Sequence, residues 1–115
     1  MELEKSLVSG SMSLLVLKLL EDGDLYGYQM IAELRRRSDD TFRLKAGTLY
    51  PLLHSLEEKG FVTAYEQTAE SGKTRRYYHL TKQGRSALQK KETAWNAYAR
   101  AVGRVLKGGA CLAGA

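Results

Sequence analysis

Little in this sequence can do covalent chemistry. Cys111 is the one cysteine among 115 residues, which excludes an intrachain disulfide and makes a reducing, cytoplasmic setting the expectation. Histidine is nearly as scarce: His54 and His79 are the pair available, too few for a dedicated zinc site or a nucleophile–histidine system. Paired carboxylates, a phosphate-cradling loop and a nucleophile–base set are all missing, so no enzymatic activity, metal or cofactor is expected. No unbroken apolar run is longer than Leu14–Leu17, far short of the roughly 20 residues of a membrane span. The opening MELEKSLV mixes acids with a base and lacks an apolar h-region, so no secretory signal is expected.

What is present fits one globular domain with its own core: 43% hydrophobic and 27% charged residues. The net charge of +5 is unevenly spread. Residues 1–40 carry five basic and eight acidic side chains, residues 41–115 thirteen and five. A basic second half suits a polyanionic partner, nucleic acid first, although solvated surface charge would look the same.

Hydrophobic periodicity then divides the chain. Leu3 to Leu20 reads as a helix with an apolar stripe of Leu3, Leu7, Val8, Met12, Leu15 and Leu19, widened by Leu14, Val16, Leu17 and Leu20. So greasy a helix needs cover on two sides. It should end in the turn Glu21–Asp24, with Gly23 as its C-terminal residue and Asp24 capping a second helix over Tyr26–Ser38. Arg35, Arg36 and Arg37 fill the last turn of that helix, where they either complement its dipole or bind phosphate. A third helix runs from Gly47 to Gly60 with Leu49, Leu52, Leu53 and Leu56 turned inward. Pro51 is tolerable there if it falls in the first turn. Two strands follow, Phe61–Tyr65 and Arg76–Leu80, joined by a polar tip over Gln67–Thr74 with Gly72 as its flexible element. Alternation puts Arg76, Tyr78 and Leu80 on one face and Arg75, Tyr77 and His79 on the other. Thr81 caps a last helix, Lys82 to about Leu106, and the tail GGACLAGA should fray.

Three helices and a hairpin in this order are the elements of a winged helix-turn-helix, a mainly α fold with a small β-hairpin (α+β). Its third helix enters the DNA major groove. With the leucines inward, Thr48, Tyr50, Pro51, His54 and Ser55 face out and Lys45 precedes the helix. These side chains suit phosphates and base edges, without a bidentate arginine–guanine contact. Lys73, Thr74, Arg75 and Arg76 at the hairpin suit the DNA backbone or minor groove. The last helix has a and d positions Leu88, Lys91, Trp95, Tyr98, Val102 and Val105, an apolar seam in need of a partner surface. A second copy, meeting Leu88, Trp95, Tyr98 and Val102 together with Leu7 and Leu14 of the first helix, would supply it. The expected organisation is residues 1–80 as DNA-binding domain, 81–107 as dimerisation helix and 108–115 as flexible tail. A winged-helix protein-interaction module that never touches DNA is the alternative.

The run Gly47-Thr48-Leu49-Tyr50-Pro51-Leu52-Leu53, followed by Leu56-Glu57-Glu58-Lys59-Gly60-Phe61-Val62, resembles the recognition-helix signature of the PadR family of transcriptional regulators. Gly23 with Tyr26-Gly27-Tyr28, and Arg75-Arg76-Tyr77-Tyr78-His79-Leu80-Thr81 with Gly84, resemble its other two blocks. The resemblance spans about residues 7 to 88 and departs from the usual Leu-Ile at Phe61-Val62. It implies a homodimeric winged-helix regulator of the short-tailed branch, usually a repressor, on a palindromic double-stranded operator. It also implies a planar aromatic effector held at Trp95, with Leu14 beside it; the plainer role for Trp95 is to fill the interface.

Overall fold

The computed structural model describes residues 5–108, with side-chain detail from residue 10 onward. Leu3, where the first helix was expected to begin, and the tail from residue 109, including Cys111, lie outside the described residues. The order is α1 (Lys5–Leu19), β1 (Leu25–Tyr26), α2 (Gly27–Arg37), α3 (Ala46–Glu58), β2 (Val62–Thr68), β3 (Thr74–Leu80) and α4 (Lys82–Leu106). Among the described residues, four helices accompany an antiparallel sheet of order β1-β3-β2, a winged-helix α+β fold.

The core forms where the apolar faces of α1, α2 and α3 meet the inner face of the sheet. Met12, Val16, Leu17, Leu19 and Leu20 of α1 and its turn, Met30 and Leu34 of α2, Leu49, Leu53 and Leu56 of α3, and Tyr78 and Leu80 of β3 are all buried. At about 25 cal/mol per Å² of apolar surface removed from water, this cluster is the main source of stability. The deepest face of α1 runs through Val16 and Leu17, while Leu14 and Leu15 are only partly buried against the same cluster.

Several local expectations are corrected. Helix α1 ends at Leu19, one residue short of the expected Leu20, with Leu20 N–H donating to the Leu17 carbonyl (3.2 Å), so Gly23 lies in the turn beyond it rather than at its C-terminus. Asp24 does not cap α2. Residues Leu25 and Tyr26 pair with Tyr78 and Tyr77 instead, forming a third strand that the sequence did not reveal. The α2 start is served by Gln29, whose Oε1 accepts from Tyr26 N–H (3.1 Å). Helix α3 begins at Ala46, so Pro51 lies in its second turn, where it has no N–H to offer the Gly47 carbonyl. The strands run longer than expected and shorten the wing tip to Ala69–Lys73, closed by Ala69 N–H to the Lys73 carbonyl (2.9 Å). Arg76 lies on β3 as expected, and the longer strand takes in Thr74 and Arg75 as well.

Other expectations hold. Helix α3 ends with Gly60 at φ 78°, where the Phe61 N–H reaches back to the Leu56 carbonyl (3.0 Å), the left-handed stop that glycine permits. Thr81 caps α4: its Oγ1 accepts from Gly84 N–H (2.9 Å) while its hydroxyl donates to the Gly60 carbonyl (2.7 Å). Gly84 has no room for a side chain, because a Cβ there would overlap the Phe61 carbonyl oxygen.

Candidate nucleic-acid interface

Once its leucines are sunk in the core, α3 has one face left for solvent. Thr48, Tyr50, Pro51 and His54 are exposed on it and Ser55 is half-buried, with exposed Lys45 in the N-cap position. His54 Nε2 faces Glu58 Oε1 one turn later, at 3.4 Å. Tyr50 has two neighbours to answer to. The residue is 42% exposed, yet its hydroxyl end lies on Gly27, where any Cβ would strike it. Burial first, and then the neighbouring Tyr78 and Tyr28 phenols, push its pKa above the usual tyrosine value. Tyr50 is therefore a strut between α2 and α3 as well as a candidate reader.

The wing divides its cations by job. Lys73 stands exposed at the tip, beside Gly72 at φ 87°. Thr74 Oγ1 meets Thr68 Oγ1 across the hairpin at 3.0 Å. The Arg75 guanidinium lies over the Tyr26 ring, 4.7 Å from its centroid. Arg76 turns to the inner side, donating to Glu57 of α3 (3.4 Å) and to the Tyr78 hydroxyl (3.3 Å). Of the three wing cations expected to meet phosphate, two are thus already in contact with the protein itself.

The arginines of α2 take the structural role. Arg36 and Arg37 both bond Glu33, and Arg35 bonds Asp40. Those two arginines hold the Glu33 carboxyl at about 2. Asp39 and Asp40 follow the helix at φ 51° and 65°, a left-handed pair that aspartate tolerates better than most residues.

Sequence reasoning missed the outer face of the sheet. The register places Tyr65 opposite Tyr77 and Tyr77 opposite Tyr26. Tyr65 stacks on Tyr77 (5.6 Å, 13°) and Tyr77 meets Tyr26 edge-on (5.4 Å, 80°). Asp24 closes the group, its Oδ2 accepting from the Tyr65 hydroxyl (2.6 Å) and its Oδ1 lying 2.8 Å from His79 Nδ1. Burial works against the Asp24 carboxylate, but these two hydrogen bonds outweigh it and hold its pKa below the usual range. Alternation alone could have put Tyr65 and Tyr77 on one face; the return of Asp24 to that face is a long-range event.

On α4, Leu88 is 2% exposed inside this chain's own core, so the expected interface role is corrected: its surface is already spent within one subunit. Leu14 is likewise partly covered by that core, and the side chain of Leu7 lies outside those described. Trp95, Tyr98 and Val102 are 49%, 68% and 36% exposed, and Val105 and Leu106 more so. A polar groove of about 470 Å³ opens between the turn after α1 and the first half of α4, lined by Glu21, Arg85, Glu92 and Asn96 among others.

The transcriptional regulator PadR-like family profile matches residues 16–90. The chain belongs to the PadR-like family. The matched span runs from the middle of α1 through the wing into the first turns of α4. Among its relatives is transcriptional regulator Rv3488 of Mycobacterium tuberculosis, 38% identical over 81 residues, 70% of this chain and 72% of that protein. A PadR family transcriptional regulator from Eggerthella lenta superposes with a TM-score of 0.77 at 32% identity, covering 88% of this chain and 86% of the other. A transcriptional regulator from Clostridium thermocellum gives 0.80 at 28% identity, covering 87% and 97%. The family's winged-helix fold is therefore shared over nearly the whole chain. Among the described residues no helix is long and apolar enough to cross a membrane.

Proposed function

We propose that this PadR-like regulator works in the cytoplasm as a homodimer that binds palindromic double-stranded operator DNA and represses transcription. In this reading residues 1–80 bind DNA and residues 81–107 join two copies. The observation that carries it is the outer face of α3, where Thr48, Tyr50, Pro51 and His54 stand in solvent while Leu49, Leu53 and Leu56 are buried on the opposite side. Lys45 and Lys73 flank that face without a side-chain partner among the described residues and supply the phosphate contacts. The half of α4 that begins at Trp95 supports the dimer, since its large apolar side chains are exposed over three turns and a soluble helix buries such a face against something.

Salt-dependent binding to the DNA upstream of its own gene tests this. Two subunits, each neutralising about two phosphates through Lys45 and Lys73, give a log–log salt slope of about −4. Lys73→Ala lowers the slope by about one per lost phosphate contact, about two in the dimer. An affinity independent of salt refutes the proposal. A planar aromatic effector would stack on Trp95 and release the operator by favouring one spacing of the two α3 helices. As the one tryptophan, Trp95 reports such binding directly through quenching of its fluorescence.

A further inference from the structure

The polar and aromatic group on the outer face of the sheet joins parts of the chain that DNA binding would need to hold together. Asp24 sits in the turn before β1, Tyr65 on β2 and His79 on β3. One carboxylate thus links three segments that are distant in sequence. Strand β1 is only two residues long and pairs with β3 through Leu25 and Tyr26 alone, too little hydrogen bonding to fix a hairpin's angle by itself. The missing rigidity is supplied by the side chains: Tyr77 is sandwiched between Tyr65 and Tyr26, and Arg75 covers the Tyr26 ring. Directly after Tyr26 comes Gly27, the seat of Tyr50 on α3. A continuous set of contacts therefore leads from the wing through Asp24 and β1 to the start of α2, and from there to the exposed face of α3.

We propose that Asp24, with Tyr65 and His79, is a positioning brace that presets the wing against the recognition helix before DNA arrives. None of the three needs to touch DNA. The argument rests on the DNA-binding reading above and deepens it. A protein whose binding-competent arrangement is only partly populated binds with an affinity reduced by that fraction. Loosening the brace lowers the fraction of wings already set, while the phosphate contacts of the final complex stay the same. Affinity falls and the salt slope does not. That pairing separates a brace from a phosphate ligand, whose loss takes about one from the slope per contact.

The test uses the full chain and three variants: Tyr65→Phe, Asp24→Ala and the double substitution. Tyr65→Phe deletes a single hydroxyl and keeps the ring stack, so it folds even if Asp24→Ala does not. Operator affinity is measured by fluorescence anisotropy across a salt series, and amide hydrogen exchange of β1 and β3 is followed in the free protein. The expected result is a loss of about threefold for Tyr65→Phe and up to tenfold for Asp24→Ala, the scale of one and two hydrogen bonds. The double variant is no weaker than Asp24→Ala, because the Tyr65 hydroxyl then has no partner to lose. Slopes stay parallel to that of the parent, and exchange quickens in β1 and β3 but not in α3. A slope that falls with the substitution overturns the brace in favour of direct contact, and unchanged affinity with unchanged exchange overturns it outright. Should the parent bind no DNA, the functional proposal fails while the exchange measurement still decides whether Asp24 holds the wing.

Discussion

Gly27 and Gly84 both lack room for a Cβ, yet replacing them with alanine should have different consequences. At Gly84 a new Cβ would overlap the Phe61 carbonyl oxygen and stand 2.7 Å from Leu80 Cδ1 and 2.9 Å from the Phe61 carbonyl carbon. Backbone cannot swing aside, and the same carbonyl accepts from Thr81 N–H (3.1 Å). Relief therefore requires the start of α4 to move, stretching the bond from Gly84 N–H to Thr81 Oγ1. Overpacking of this kind costs about 3 kcal/mol and the lost cap about 1 kcal/mol, against a helix-propensity gain of about 1 kcal/mol for alanine. The net loss is about 3 kcal/mol, or roughly 12 °C in Tm at about 4 °C per kcal/mol for a chain of this size.

At Gly27 the obstacle is the far end of Tyr50, with Cζ 2.7 Å from the new Cβ. Tyr50 is 42% exposed, and the far end of a flexible side chain with solvent beside it should yield where backbone does not, so the stability cost is expected to stay within about 1 kcal/mol. The displaced phenol now stands on the face proposed to meet DNA, and operator affinity falls even though the fold survives. Thermal and urea unfolding followed by far-ultraviolet circular dichroism, at one fixed protein concentration because of the proposed dimer, together with anisotropy on operator DNA, separate the two. A Gly84→Ala protein as stable as its parent refutes the reasoning, as does a Gly27→Ala protein that loses stability to the same degree. Gly10→Ala, in a helix with nothing within 4 Å of the new Cβ, is the control and should stabilise by about 0.5–1 kcal/mol.

Three further outcomes are expected. Glu33 is held at about 2 by Arg36 and Arg37, below its ordinary 4.5. A depressed carboxyl contributes stability above its unfolded pKa and loses it as pH falls through the folded value, so the decline in Tm between about pH 4.5 and 2 should be shallower in Glu33→Gln. The difference is small, because these partners are solvent-exposed. Thr81→Ala removes the acceptor for Gly84 N–H and should cost about 1 kcal/mol, read as a Tm about 4 °C lower. Tyr98→Ser combined with Leu106→Ser strips two of the most exposed apolar side chains of α4 and should turn a dimer into a monomer by sedimentation velocity, with the circular dichroism of the winged domain unchanged.

The helices were legible in the sequence because their signal is local. Leu49, Leu53 and Leu56 repeat with the helical period and are all buried, and Thr81 caps α4 as its position announces. What escaped were features set by distant residues that leave no local pattern of their own. Strand β1 is two residues whose only mark is their pairing with Tyr77 and Tyr78, some fifty positions on. Asp24 carries a helix-capping signature, but the Tyr65 hydroxyl and His79 compete for the same carboxylate and win it. Capping is worth about 1 kcal/mol, and two charge-assisted hydrogen bonds exceed that. Leu88 was misread for a related reason: a heptad position says that a side chain is covered, not which subunit covers it.

For the candidate site, the same distinction separates charge that is merely present from charge that is available. The sequence shows basic residues at Arg35–Arg37, Arg43, Lys45, Lys73, Arg75 and Arg76 and cannot rank them. Structure ranks them by partner. Arg35, Arg36, Arg37 and Arg43 are neutralised within a few residues by Glu33 and Asp40, and Arg75 and Arg76 brace the wing. A paired arginine is a poor phosphate ligand, since contact with DNA must first break an existing bond and gains only the difference. Lys45 and Lys73 have no such bond to lose and stand at the two ends of the proposed contact, beside the recognition helix and at the wing tip. With so few free cations among the described residues, the proposed interface would attract any duplex only weakly. In the proposed contact, selectivity then rests on the hydroxyls of Thr48 and Tyr50, the His54 imidazole and the fit of the wing that Asp24 is proposed to preset, so that on this reading the geometry held by Asp24 matters more than the net charge of the chain.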